Sequence, residues 1–140
     1  MTELNFGLGL RKFNINGQVE VFFNDTDADF VERLFNIFYG LDEKQGYYEK
    51  RVEKMADNKE IFAFMREIDG EIRSAIDALF NAEVCKPLFG TMNVFALADG
   101  LPLWANLMLA VIEQVDTAFA REQKATNPRI QKYTAKWQRK

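Results

Sequence analysis

The sequence predicts an α+β domain, mostly α, in which an N-terminal β-hairpin packs on a bundle of three to four helices and a basic C-terminal tail follows. Three observations carry this prediction. Asn16-Gly17 separates two short runs rich in aliphatic and aromatic residues; three later stretches repeat apolar residues at helical spacing; and the charge changes sign near residue 120. A chain of 140 residues is one domain by length, able to bury roughly 68% of its unfolded surface. Its thirteen Phe make that core unusually aromatic.

The hairpin comes first. LRKFNI and QVEVFF flank Asn16-Gly17, a dipeptide that favours tight hairpin turns. A two-residue loop would set Ile15 opposite Gln18 and Phe13 opposite Glu20, mixing apolar and polar side chains on one face. One more loop residue pairs Ile15 with Val19 and Phe13 with Val21. Because a one-residue slip moves every side chain to the other face, a three-residue connection or a bulge is expected.

A helix follows, opened by a capping pair of Thr26 and Asp29, with Asp27, Asp29 and Glu32 at its positive end. Phe30, Leu34, Phe38 and Leu41 form its inner stripe, widened by Val31, Phe35 and Ile37. Gly40 is expected to break or kink it, after which Tyr48, Val52 and Met55 resume a weaker stripe. Asp57-Asn58 marks a junction. The next helix carries Ile61, Met65, Ile68, Ile72, Ile76 and Leu79 at spacings of three and four, and ends before Pro87. The last long helix starts at Pro102, a residue suited to a first turn. Trp104, Met108, Val111, Val115 and Phe119 line one face of it, with Leu107 and Ile112 beside them, and Asn127-Pro128 ends it.

Between these helices, residues 84–101 read as an irregular loop with two glycines and a turn at Asp99-Gly100. Connecting segments are normally polar because they lie in water, yet this one carries Phe89, Met92, Val94, Phe95, Leu97 and Leu101. With Trp104 just beyond, these seven side chains are the candidate partner-binding residues. Most are expected to complete the domain's own core, and those left exposed mark where a partner would bind.

Charge separates the domains. Residues 1–120 carry 11 Lys and Arg against 20 Asp and Glu, a net of −9; residues 121–140 carry seven basic residues against Glu122 alone, a net of +6. The expected organisation is a single domain over 1–120 and a basic, partly flexible tail over 121–140. Arg129, Lys132, Lys136, Arg139 and Lys140 are candidates for electrostatic docking on an acidic protein surface, including that of a neighbouring subunit. Phosphate binding, with Tyr133 and Trp137 stacking on bases, is the competing reading, though an acidic body repels nucleic acid. A solvated tail without a specific role is the third.

The missing residues exclude whole chemistries. The chain has no histidine, so Ser–His and Cys–His nucleophile pairs and imidazole metal sites are impossible within it. Its one serine, Ser74, falls inside a predicted helix. Asp25, Asp27 and Asp29 resemble the opening of a calcium loop, but Phe30 and Asn36 stand where that loop needs Gly and Glu. Gly7-Leu8-Gly9 lacks the third glycine of a dinucleotide loop, Lys12 occupying its place. Glu67, Asp69, Glu71 and Asp77 read as a solvated helix face, and Cys85 as a small buried residue. No catalytic residue, cofactor, metal or small-molecule substrate is expected. The opening MTELNFGLGLRK has an early acid and no apolar core of a signal peptide. The longest apolar run, 101–112, is too short to span a bilayer, and a single Cys suits a reducing compartment.

Two blocks together carry a resemblance. One is VEVFFNDTDADFVERLFNIFYGLDEK, residues 19–44, with its N-D-T-D-x-x-F-V-E-R-L helix start. The other is residues 84–112, with FG-x-x-N, an apolar run, and A-D-G-L-P before a helix. They resemble the small tail assembly chaperones of tailed phages and prophages of Gram-positive bacteria. The resemblance covers about 55 of 140 residues and leaves out the first eighteen and the basic tail. It implies a non-enzymatic protein in the cytoplasm of the host bacterium that binds the tape measure protein during tail assembly and is absent from the finished virion. In such families ribosomal frameshifting often yields a longer form. A tape measure protein is a very long amphipathic helix, which a helical partner with an apolar groove would cover. Many copies along one client favour a homo-oligomer, for which an acidic body and a basic tail supply head-to-tail contacts. The alternatives are a structural tail component retained in the virion, and a nucleic-acid-binding accessory protein acting through residues 121–140.

Overall fold

The structure is a computed structural model that describes residues 1–124. Strands β1 (Arg11–Ile15) and β2 (Val19–Phe23) form the N-terminal hairpin, followed by helices α1 (Ala28–Glu53) and α2 (Asn58–Phe80). A short helix α3 (Cys85–Phe89), a second small hairpin of β3 (Leu97–Ala98) and β4 (Leu101–Pro102), and helix α4 (Leu103–Lys124) complete the described residues. The α+β, mostly α, architecture is the expected one.

The hairpin has the register that burial demands: Ile15 lies opposite Val19 and Phe13 opposite Val21. The connection is the three residues Asn16, Gly17 and Gln18, closed by Gln18 N–H donating to the Ile15 carbonyl at 3.0 Å. The inward face thus stays apolar, with Val21 and Phe23 buried. Phe23 stacks at 4.4 Å on both Phe13 and Phe30 and meets Phe80 at 6.0 Å. This aromatic stack fastens the hairpin to the start of α1 and the end of α2. Offset ring pairs of this kind add ~0.5–1.5 kcal/mol each beyond simple burial.

Helix α1 differs from expectation at its start and in its middle. The N-cap of α1 is Asp27, whose carboxylate accepts from Asp29 N–H at 3.1 Å, and not the Thr26–Asp29 pair. Thr26 is instead held by Asn24, whose Oδ1 accepts from both its N–H and its hydroxyl. The predicted break at Gly40 is absent, and α1 runs unbroken for 26 residues. A glycine inside a helix costs about 1 kcal/mol against alanine. Burial of Leu41 and Tyr48 on the same helix outweighs that cost. At α2, Asp57 caps the start as the junction predicted, and Asn81, in the left-handed conformation at φ 51°, ends it. Ala82 N–H then donates to the Asp77 carbonyl and Asn81 N–H to that of Ala78, which satisfies carbonyls the helix leaves open.

The core is one continuous cluster. Leu34 and Leu41 of α1, Ile68, Ile72, Ile76 and Leu79 of α2, and Trp104, Met108, Val111 and Val115 of α4 are all buried in it. On α4 the stripe ends differently than predicted: Ala118 is fully buried while Phe119 is 41% exposed. Trp104, Met108, Val111 and Val115 advance by four, three and four, so the next inward position is three further on, at 118.

Residues 84–102 are not an irregular loop. They hold α3, which contains Pro87, and the β3–β4 hairpin, in which Leu97 lies opposite Pro102 and Ala98 opposite Leu101. Asp99 (φ 55°) and Gly100 (φ 81°) are both left-handed, as a two-residue turn of the type that matches strand twist requires. Pro102 therefore belongs to β4, is buried, and α4 begins one residue later. No helix among the described residues is long and apolar enough to cross a membrane.

Candidate functional site

The helix face read from sequence as solvated is what shapes the 84–102 segment. Asp77 Oδ1 accepts from the N–H groups of Val84 and Cys85, both at 2.9 Å, and so fixes the entry to α3. Asp69 Oδ1 accepts from Val94 N–H at 2.7 Å, and its other oxygen pairs with Arg73 at 2.9 Å. Arg73 in turn donates to the Met92 carbonyl at 2.6 Å. Glu71 accepts from the Tyr48 hydroxyl at 3.2 Å. Asp69 and Asp77 are therefore half-buried and tied into the fold, while Glu67 and Glu71 are exposed as expected of a solvated face, Glu71 with its carboxylate on the Tyr48 hydroxyl. Asp69, Arg73 and Asp77 each follow a buried isoleucine by one position, so they border the core. That bordering stripe of alternating sign was the signal available in the sequence.

With the segment pinned at Val84, Met92 and Val94, its side chains divide. Val94 and Trp104 are buried in the domain's own core at 0% and 2% exposure, which removes them as partner-binding residues. The Trp104 ring is oriented by its Nε1–H, which donates to Gln45 Oε1 at 2.9 Å. Phe89 is half-buried beneath the Arg73 guanidinium, 6.0 Å from the ring centre. Phe95 is half-buried edge-on to Tyr48 at 6.0 Å. Met92, Leu97 and Leu101 remain exposed, Leu97 the most at 73%. Alternation along the two short strands puts Leu97 and Pro102 on one face of the small hairpin and Leu101 with Ala98 on the other.

The first of these faces borders a groove of about 460 Å³. Tyr48 and Val52 of α1, Met65 of α2 and Phe95 line its apolar part, Leu97 and Pro102 close one side, and Gln45, Glu49 and Glu53 complete the lining from α1. An apolar trough edged by carboxylates suits the apolar stripe of a helix whose flanks carry Lys or Arg. The described lining residues include no Ser, Thr, Cys or Lys, and Cys85, the chain's one thiol, is buried elsewhere with its pKa pushed up by desolvation and by Asp77.

Tyr48 in this groove gives a pH signature. Burial first, and the Glu71 carboxylate second, push its phenol up to about 12 from 10.0. The unfolded chain ionises first, so the stability Tyr48 contributes is whole below pH 10 and is lost as pH rises towards 12. Urea unfolding between pH 9 and 12 should show a steeper loss for the natural chain than for Tyr48→Phe; parallel curves would refute the coupling.

Arg129, Lys132, Lys136, Arg139 and Lys140 lie outside the described residues. The structure brings together instead a charged cluster that sequence reading did not find. Asp25, 2% exposed, accepts from Arg11 at 3.1 Å, Gln114 at 3.0 Å and Arg121 at 3.5 Å. It joins the first hairpin to the far end of α4.

No family model, curated protein or solved structure matches this chain.

Proposed function

We propose that this chain is a non-enzymatic tail assembly chaperone of a phage or prophage, which binds a tape measure protein in the host cytoplasm through the groove between α1 and the β3–β4 hairpin. One observation carries the reading. The hairpin that closes the groove is built from Leu97 and the A-D-G-L-P that follows it, part of the stretch that carries the resemblance to that chaperone family. Leu97, an exposed aliphatic side chain beside Phe95 and Pro102, is the natural anchor for an apolar stripe on a client helix. Glu49 and Glu53 would pair with basic residues flanking that stripe.

Co-expression tests this directly. The natural chain should keep a tape measure protein soluble and co-purify with it. Leu97→Asp should weaken capture roughly tenfold or more, the effect of charging a central anchor, while Leu101→Asp, on the other hairpin face, should leave capture intact. Both variants should keep the helical circular dichroism of the natural chain. A client that precipitates equally with and without the chain would overturn the proposal, as would equal loss from both substitutions.

A further inference from the structure

Residues 125–140 hold five basic residues and no acid, and their apolar residues are spaced for a helix. Pro128 suits a first turn. Ile130, Tyr133 and Trp137 follow at steps of three and four, so a helix starting there would carry them as one stripe. The basic residues flank that stripe on one side only. Lys132, Lys136 and Lys140 recur every fourth residue, with Arg129 on the same flank, whereas Gln131, Thr134 and Gln138 border the other side.

The groove beside Leu97 has the complementary layout. Its carboxylates follow one line, where Gln45, Glu49 and Glu53 recur every fourth residue of α1, and Leu97 and Pro102 close its other side. No Lys or Arg is among the described lining residues. With the apolar stripe seated on Val52, Met65 and Phe95, the lysine stripe runs beside Glu49 and Glu53 at the same repeat of ~6 Å. Reach selects the copy. Pro102 lines the groove and directly precedes α4, whose 22 residues carry Lys124 ~33 Å away. A tail helical from Pro128 puts Trp137 at most ~25 Å from Lys124, short of its own groove. We propose that residues 128–140 of one copy dock as a helix in the groove between α1 and the β3–β4 hairpin of a second copy. The contact is heterologous and repeats from copy to copy. It rests on the groove assigned above to a client helix, and it makes the tail a competitor of that client.

Sedimentation of full-length chains, with no client present, tests the docking. The average mass of the natural chain should rise above its 16.2 kDa with concentration and fall back as salt is raised. Leu97→Asp removes the anchor of the groove, and Tyr133→Asp with Trp137→Asp removes the stripe of the tail. Each variant alone should associate at least tenfold more weakly. Mixed in equal amounts they should form a pair of chains and nothing larger, because one keeps a working tail and the other a working groove. A natural chain that stays at the monomer mass, as a tail folded onto its own body would give, overturns the proposal. So does a mixture that fails to pair while both variants keep the helical circular dichroism of the natural chain. Where Leu97→Asp disturbs the fold, Glu49→Lys with Glu53→Lys, both exposed, takes its place with the same two outcomes. Pairing in the mixture without capture of a tape measure protein would sink the chaperone reading alone, and capture without pairing would sink the docked tail alone.

Discussion

Trp104→Ala should cost the domain roughly 3–5 kcal/mol, the range for emptying an aromatic site in a close-packed core. Trp104 is the largest of the fully buried side chains. It lies 6.0 Å from Phe38, and its indole N–H is satisfied by Gln45. The site collapses poorly because three elements meet there: α1 supplies Phe38 and Gln45, β4 leads directly into it, and Trp104 N–H itself donates to the Val94 carbonyl. A domain of this size has ~5–15 kcal/mol in total, so the variant should lie near its unfolding threshold at 37 °C. Trp104→Phe separates the two contributions. It keeps most of the volume and loses the Gln45 bond, which at a half-buried acceptor is worth about 1 kcal/mol. Urea denaturation followed by circular dichroism measures both. A cost below 1 kcal/mol for Trp104→Ala would mean that this side chain faces a partner and not the core.

That contrast shows where sequence reading worked. The hairpin register, the α2 stripe and most of the α4 stripe were legible because each depends on a single period meeting a single buried face. In β1 and β2 only one offset keeps Phe13, Ile15, Val19 and Val21 together, and the structure has that offset. Gly40 misled because helix propensity is weak beside burial of the residues around it. Phe119 misled because three- and four-residue steps both belong to a helix, and only the packed neighbours choose between them.

The 84–102 segment was illegible for a different reason. Its shape is set by side-chain-to-backbone bonds from α2 that span seven to 25 residues: Asp77 to Val84 and Cys85, Arg73 to Met92, Asp69 to Val94. No local period encodes such bonds, and Asp69 looks no different from Glu67 until the chain has folded. The apolar composition of the segment did point to burial, and Val94 and Trp104 are buried. It did not reveal that the remainder would split across two faces of a small hairpin and leave Leu97 beside a groove.

Asp25 gives the second large effect, and a distinctive one. Its carboxylate is buried at 2% exposure, but the guanidinium groups that serve it are 46% and 39% exposed. Removing the acid therefore leaves two arginines that water can solvate again, so Asp25→Asn should cost ~1–3 kcal/mol and not the ~3–5 of a stranded buried charge. Removing the arginines is the reverse case. Arg11→Gln alone leaves Arg121 and Gln114 on the carboxylate, and Arg121→Gln leaves Arg11 and Gln114, so each single change should cost under about 1 kcal/mol. Together they leave an ionised, buried carboxylate with neutral partners, and the double variant should lose more than the sum of the singles by ~1–2 kcal/mol. In an Asp25→Asn background that excess should vanish, since no buried charge remains to be stranded. Additive costs in the natural background would show that the two arginines act independently of Asp25. A full double-mutant cycle by urea denaturation thus reads whether one carboxylate ties the first hairpin to the end of α4, where the basic tail begins.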